Sequence, residues 1–193
     1  MPTAGAVKRW GEAMTLNDII VSALTQLDRG HDSQTVDTWR DKLTRYANEA
    51  VTDIATMLQL RRTDTLPVKD GSADVAALPR CCVKVLYVSR NMVRVPFIMG
   101  DASTRIRVLT EDGEVYVHYR YLPDDMSSPT DVPELPAFTH GLIVTYVVAR
   151  ERASADPSMQ RGANIYFELY NAGKRGLRAS LGEQDGYALV NRW

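Results

Sequence analysis

Residues 142–148 read Leu-Ile-Val-Thr-Tyr-Val-Val, and the conformation of this run decides the fold class. Its β-branched residues suit a buried strand on propensity alone. As a helix it is apolar on nearly every face, which requires a central, enclosed position. Pro136 suits the first turn of such a helix, which would then run to about Arg152. Ahead of it, Pro123 to Leu135 is rich in Asp, Ser and Pro and reads as a loop. Behind it, Asp156 followed by Pro157 is a clean start for a last helix, with Met159, Ala163, Tyr166, Tyr170 and Leu177 as its inner stripe. Gly173 and Gly176 each weaken that helix by up to about 1 kcal/mol against alanine, so its far end is expected to bend or fray.

The middle third changes period. Val83, Val85 and Tyr87 alternate with Lys84, Leu86 and Val88, which predicts a strand. Val93, Val95 and Phe97 alternate with Arg94 and Pro96, the proline suggesting an edge. Ile106 and Val108 alternate with Arg105 and Arg107. Asp112–Gly113 is then a strong hairpin signal. The return strand carries Val115, Val117, Tyr119 and Tyr121 on one face, with Tyr116, His118 and Arg120 on the other. A further strand fits Thr65 to Lys69.

The first third is helical. Thr15 with Asp18 forms a shortened capping box ahead of Leu16, Ile19, Ile20, Ala23, Leu24 and Leu27, and Gly30 suits the C-terminal cap. After Asp32 or Ser33, the residues Val36, Trp39, Leu43, Tyr46, Ala50, Ile54 and Met57 recur at helical spacing to about Leu60. Joined by a short loop, these helices should form an antiparallel hairpin. The predicted class is therefore mainly α with a small antiparallel β insertion (α+β). A single domain spans 1–182, with the hairpin over about 15–60, the insertion over about 64–121 and two closing helices over about 136–181. An extended tail follows over 183–193.

Composition excludes more than it selects. With 193 residues and 21.6 kDa the chain needs neither metal nor disulfide to fold. A net charge of −1 argues against a protein that coats DNA. The excess of bases lies in the last helix and tail, and the excess of acids in the middle. The only two cysteines, Cys81 and Cys82, are adjacent and make no CxxC pair, so they should be reduced thiols, at least one packed in the core beside Val83. No run is long enough to span a membrane and the N-terminus lacks the apolar stretch of a signal peptide, so a soluble protein of a reducing compartment is expected.

Catalytic patterns are absent: no GxSxG, HExxH, Walker loop or GxGxxG. His31, His118 and His140 are far apart and read as surface or internally satisfied histidines. Glu12 with Glu49, or Asp124 with Asp125, could be cast as the acid pair of a cell-wall hydrolase, but any acidic chain offers such pairs, and the latter two read as solvated. The first two helices could also pass for a helix-turn-helix of a small DNA-binding regulator, although the second is long and evenly charged. No enzyme activity, cofactor or metal is expected.

The order of these parts, and above all residues 119–173, resembles the head–tail adaptor proteins of tailed bacteriophages, also called connector or head-completion proteins; gatekeeper-type tail tubular proteins are similar. In that family a strand ending in tyrosines leads through an acidic linker to a D-x-P-E-LP entry, matched by Asp131, Pro133, Glu134, Leu135 and Pro136. An apolar helix ending in A-R follows, matched by Ala149 and Arg150. Next come an Asp-Pro gap, matched by Asp156 and Pro157, and a closing helix with Tyr166, Phe167 and Tyr170. Leu78 and Pro79 resemble the family's entry into an earlier strand, but Arg80 and Cys81 replace its acidic-aromatic pair.

The resemblance implies a structural virion protein at the head–tail junction, assembled in the host cytoplasm. About a dozen copies would form a ring through heterologous contacts. Its implied partners are the portal protein, tail or nozzle proteins, further copies of itself, and double-stranded DNA passing without sequence specificity, with no membrane. Tyr187, Leu189, Val190 and Trp193 in the tail would suit a groove on a neighbour or the portal, or could fold back on their own domain. Lys174, Arg175 and Arg178 are candidates to face DNA in the channel. They equally suit the negative end of a helix dipole.

Overall fold

The run at 142–148 is helical, and the class is α+β as the sequence predicts. The computed structural model describes residues 13–99, 104–154 and 157–180; the side chains of 157–161 and 178–180 fall outside that description, and with them Met159 and Arg178. The contacts divide the chain into a helical unit, up to Ala50 and from Pro136 onward, and a β unit, Val51–Leu135.

In the helical unit, α1 (Leu16–Gln26) opens on the predicted capping box. The Asp18 amide donates to Thr15 Oγ1 (3.2 Å) and the Thr15 amide to Asp18 Oδ2 (2.9 Å). It closes earlier than Gly30. Asp28 takes the left-handed conformation instead, with φ 55°, which a short polar side chain tolerates. α2 (Ser33–Leu58) starts where Asp32 accepts from the Thr35 amide (3.1 Å) and hydroxyl (2.7 Å). It ends at Gln59, φ 54°. Pro136 leads into a short 3-10 turn, Ala137–Thr139, and then α3 (His140–Ser154). Ile143, Val144, Val147 and Val148 of α3 are fully or almost fully buried. α1 packs mainly on α3, and α3 packs most closely on α4 (Pro157–Ser180).

α4 does not end at its glycines but runs through both to Ser180. Gly173 lies against α3, where an added Cβ would collide with the Leu142 side chain. Beside this contact Tyr146 packs against Tyr170 (5.0 Å) and Phe167 (6.1 Å). Ala163, Tyr170 and Leu177 are buried as the stripe predicts, with Tyr166 half-buried.

The β unit holds two antiparallel sheets. The larger orders β1 (Arg61–Val68), β7 (Gly113–Leu122), β3 (Cys81–Arg90) and β4 (Val93–Val95) as β1-β7-β3-β4. The smaller orders β2 (Ser72–Asp74), β6 (Arg105–Val108) and β5 (Phe97–Met99) as β2-β6-β5. Their inward residues, among them Leu66, Val68, Val88, Ile106, Val108, Val115, Val117 and Tyr119, form one core. Pro96 divides the predicted Val93–Phe97 strand: lacking an amide hydrogen, it breaks the ladder where the chain passes from one sheet to the other.

The Asp112–Gly113 signal does not build a hairpin, since β6 and β7 belong to different sheets. Arg90 holds that corner by donating to Thr110 Oγ1 (3.1 Å) and the Glu111 carbonyl (2.9 Å). A Cβ on Gly113, φ 138°, would lie 2.9 Å from Arg90 Nη2. The two-residue turns are instead Asp70–Gly71 and Asn91–Met92, all four with positive φ as the strand twist requires. In β3 the pairing shifts between Cys82 and Lys84 and between Val85 and Tyr87. The first shift turns Val83 outward, 58% exposed, so it is not a core residue. Cys82 is half-buried against the core and Cys81 is exposed.

Gly173→Leu should lower stability by about 1–3 kcal/mol, read by chemical denaturation, because it forces α4 away from α3. Leu142→Ala in the same chain should recover part of the loss. Strictly additive losses in the double-mutant cycle would show that the two positions do not meet.

Candidate assembly surfaces

The linker ahead of α3 is pinned to the β unit by a polar network. Glu134 Oε2 accepts from Arg80 Nε (2.9 Å), and Glu134 Oε1 accepts from the Tyr121 hydroxyl (3.2 Å). Arg80 also pairs with Asp124 (2.8 Å), so Asp124 is not simply solvated as expected. Pairing with Glu134 and then Asp124 raises the Arg80 pKa. Asp131 accepts from the Ser127 (2.8 Å) and Ser128 (2.7 Å) amides, which hold its carboxyl below the usual range. The arginine that departs from the family pattern at position 80 is thus the residue that binds the glutamate of the D-x-P-E-LP entry.

Deeper in the sheet, Arg62 Nε and the Tyr119 hydroxyl both donate to Asp64 Oδ2 (2.7 Å each). Burial would raise the Asp64 pKa, but these donors outweigh it and leave it lowered. Burial, and then Asp64 beside it, pushes the Tyr119 hydroxyl up.

On the outer face, His118 stacks on Tyr87 (3.9 Å between ring centres). Its Nδ1 lies 2.7 Å from Thr63 Oγ1 and its Nε2 3.1 Å from Ser89 Oγ. In the helical unit, His140 is buried and its Nδ1 accepts from the Met14 amide (2.9 Å). Both histidines are internally satisfied, as predicted, and His31 is exposed. Among the described residues no three His, Cys, Asp or Glu side chains are placed to hold a metal ion.

The predicted docking tail, Tyr187, Leu189, Val190 and Trp193, lies outside the described residues, as does the Arg178 side chain. Lys174 is half-buried with its ammonium 5.2 Å from the Tyr170 ring centre, and Arg175 is exposed. Because α4 continues to Ser180, Lys174 and Arg175 precede its last turn, where the helix dipole acts most strongly.

Other surfaces come into view only in three dimensions. Ile165 and Leu169, four residues apart on α4, are 59% and 56% exposed. On the β unit, Met92 and Val93 project from the β3–β4 turn, with Met92 fully exposed. Asn91 between two alternating runs was the available signal for that turn. Exposed apolar side chains on both units are the kind of feature that marks contacts with other chains.

A family model described as SU10 adaptor protein matches residues 14–192. No curated protein matches the chain.

The His118 environment sets a pH dependence. Burial, then the nearby Arg94, depresses its pKa below the ordinary 6.5. The unfolded chain therefore takes up the proton first, and the stabilisation is present above about pH 6.5 and lost as pH falls through the folded pKa. The melting temperature should fall between about pH 7 and pH 5. His118→Gln should flatten that slope; an unchanged slope would assign it to other groups. Asp64 and Asp131, with lowered pKa, lose their contributions only at lower pH.

Proposed function

Since the chain belongs to the SU10 adaptor protein family, a head–tail adaptor family of bacteriophages, we propose that copies of it form a ring that joins the portal vertex to the tail and continues the DNA channel, without catalysis. The family match carries this reading, because it covers the helical unit, the β unit and most of the tail in one span. Several features support it. The chain is nearly neutral at −1, and a conduit that held phosphates strongly would oppose the sliding of DNA. Exposed apolar side chains occur on α4 in the helical unit and on the β3–β4 turn in the β unit, and a closed ring needs contact surfaces of more than one kind on each subunit.

The tail, with Tyr187, Leu189, Val190 and Trp193, is the segment we assign to docking on the portal or on a neighbour. We retain Lys174, Arg175 and Arg178 as the helical unit's cations nearest the passing DNA. The regulator alternative is weak, because α2 is 26 residues long and carries charges of both signs, unlike a short recognition helix.

Electron microscopy of the full chain mixed with its portal should show portal rings capped by an added ring of density. Deleting residues 183–193 should abolish capping while leaving the melting temperature unchanged. A chain that never decorates the portal would refute the adaptor reading; a deletion that lowers the melting temperature would make the tail part of its own domain.

A further inference from the structure

The register of the larger sheet brings together charges that are scattered in sequence. Arg61 pairs with Arg120, and Arg120 pairs with Lys84 on its other side. Three cations thus stand in one row on neighbouring strands, about 4.8 Å apart from strand to strand. The next rows are Thr63–His118–Tyr87 and Thr65–Tyr116–Ser89–Arg94, with the Arg94 guanidinium 4.4 Å from the centre of the Tyr87 ring. None of these positions holds a carboxylate. Like charges directly opposite one another destabilise a sheet. Arg120 Nε is buried without a hydrogen-bond partner among the described residues, and Lys84 is exposed.

The other end of the same sheet gathers four carboxylates, those of Asp70, Glu111, Asp112 and Glu114, with the cations Lys69, Arg90 and Arg107 among them. Glu114 is the second residue of β7, about 20 Å along the strand from Arg120 at about 3.3 Å per residue. Beside it, the Asp70–Gly71 turn meets the Glu111–Asp112 corner, where the Gly71 amide donates to Asp112 Oδ1 (3.4 Å). Arg90 in that corner is spent on a hydroxyl and backbone carbonyls, not on the carboxylates. Each end also carries exposed apolar surface: Val83 beside Lys84, and Met92 with Val93 at the turn that follows Arg90.

We propose that copies of this chain meet head to tail through the β unit, the cationic row of one sheet receiving the acidic, Met92-bearing end of the next. This rests on the ring reading and names its contact. One end presents a row of cations and the other presents carboxylates, and each includes apolar area, so the row fits the carboxylate-bearing end better than a second copy of itself. That is the condition for a heterologous contact, and it disfavours an isologous dimer.

The experiment is sedimentation velocity of the full chain, alone and with portal rings, at about 50 and about 300 mM salt. Self-association, or decoration of the portal if the free chain is monomeric, should weaken at least about tenfold at the higher salt. Lys84→Glu/Arg120→Glu and Glu111→Lys/Glu114→Lys should each fail to assemble alone while keeping wild-type circular dichroism. An equal mixture of the two should assemble, because every acidic face then finds a basic one. If either double variant unfolds, the glutamine versions at the same positions replace it and should weaken assembly without restoring it when mixed. Variants that assemble like wild type, or folded charge-reversed variants that do not rescue each other, would overturn the proposal while portal capping by wild type leaves the adaptor reading intact. Wild type that neither self-associates nor caps the portal would remove both. Loss of duplex DNA binding in the first variant, with assembly unchanged, would make the row a phosphate contact and likewise overturn it.

Discussion

A helix that is apolar on every side can be stable in water only if other elements surround it, and α3 imposes that condition on the helical unit. Burying Ile143, Val144, Val147 and Val148 is worth about 1.5–3 kcal/mol for each side chain. That exceeds the β preference of the same residues, which spans about 1 kcal/mol on a host-protein scale. The run is therefore helical despite its propensity. α1 and α4 both pack on it, and Gly173 removes a side chain so that α4 can come close. At its far end Glu151, 2% exposed, is paired with Arg29 (3.1 Å) after α1 and Lys42 (2.7 Å) on α2. Such a buried carboxylate is costly without partners, so it specifies which side chains stand beside α3 more than it adds stability. Glu49 of α2, half-buried, also reaches α3, accepting from Arg150 (3.0 Å) and the Tyr146 hydroxyl (3.3 Å).

The β unit is organised by interruptions. Pro96 ends pairing in one sheet and lets the next residues begin another, and Arg90 secures the corner by which the chain returns. These devices stop β6 and β7 from forming the long hairpin that their alternation invites. They also leave β7 at the centre of the larger sheet, between β1 and β3, so every outward residue of β7 has a cross-strand neighbour on both sides or on one. At Arg120 both neighbours, Arg61 and Lys84, share its charge, whereas Glu114 stands beside the uncharged Pro67. The linker network then serves a different purpose: Arg80, itself paired with Asp124, and Tyr121 anchor Glu134 just before the chain re-enters the helical unit.

Much of this was legible in the chain itself. The capping box at Thr15 and Asp18, the Asp32 start of α2, the alternation in β6 and β7, and the stripe of Ala163, Tyr170 and Leu177 are local patterns. Each depends on period or on a side chain three residues away, so composition and spacing suffice to find it. The family likeness at Asp131–Pro136 is equally a property of order along the chain. The failures share one cause. Gly30, Gly173 and Asp112–Gly113 were read by their intrinsic freedom, whereas tertiary neighbours decided their use. Val83 was read by alternation, which a one-residue shift in pairing inverts.

The sequence by itself determined the class, the succession of helices and strands, and the kinship with head–tail adaptors, because period, capping and motif order act over a few residues. Only the tertiary structure decided the strand order β1-β7-β3-β4. Through it came the meeting of Arg61, Arg120 and Lys84, residues that no local rule relates, because cross-strand register is a long-range choice made by the buried face and paid for on the other.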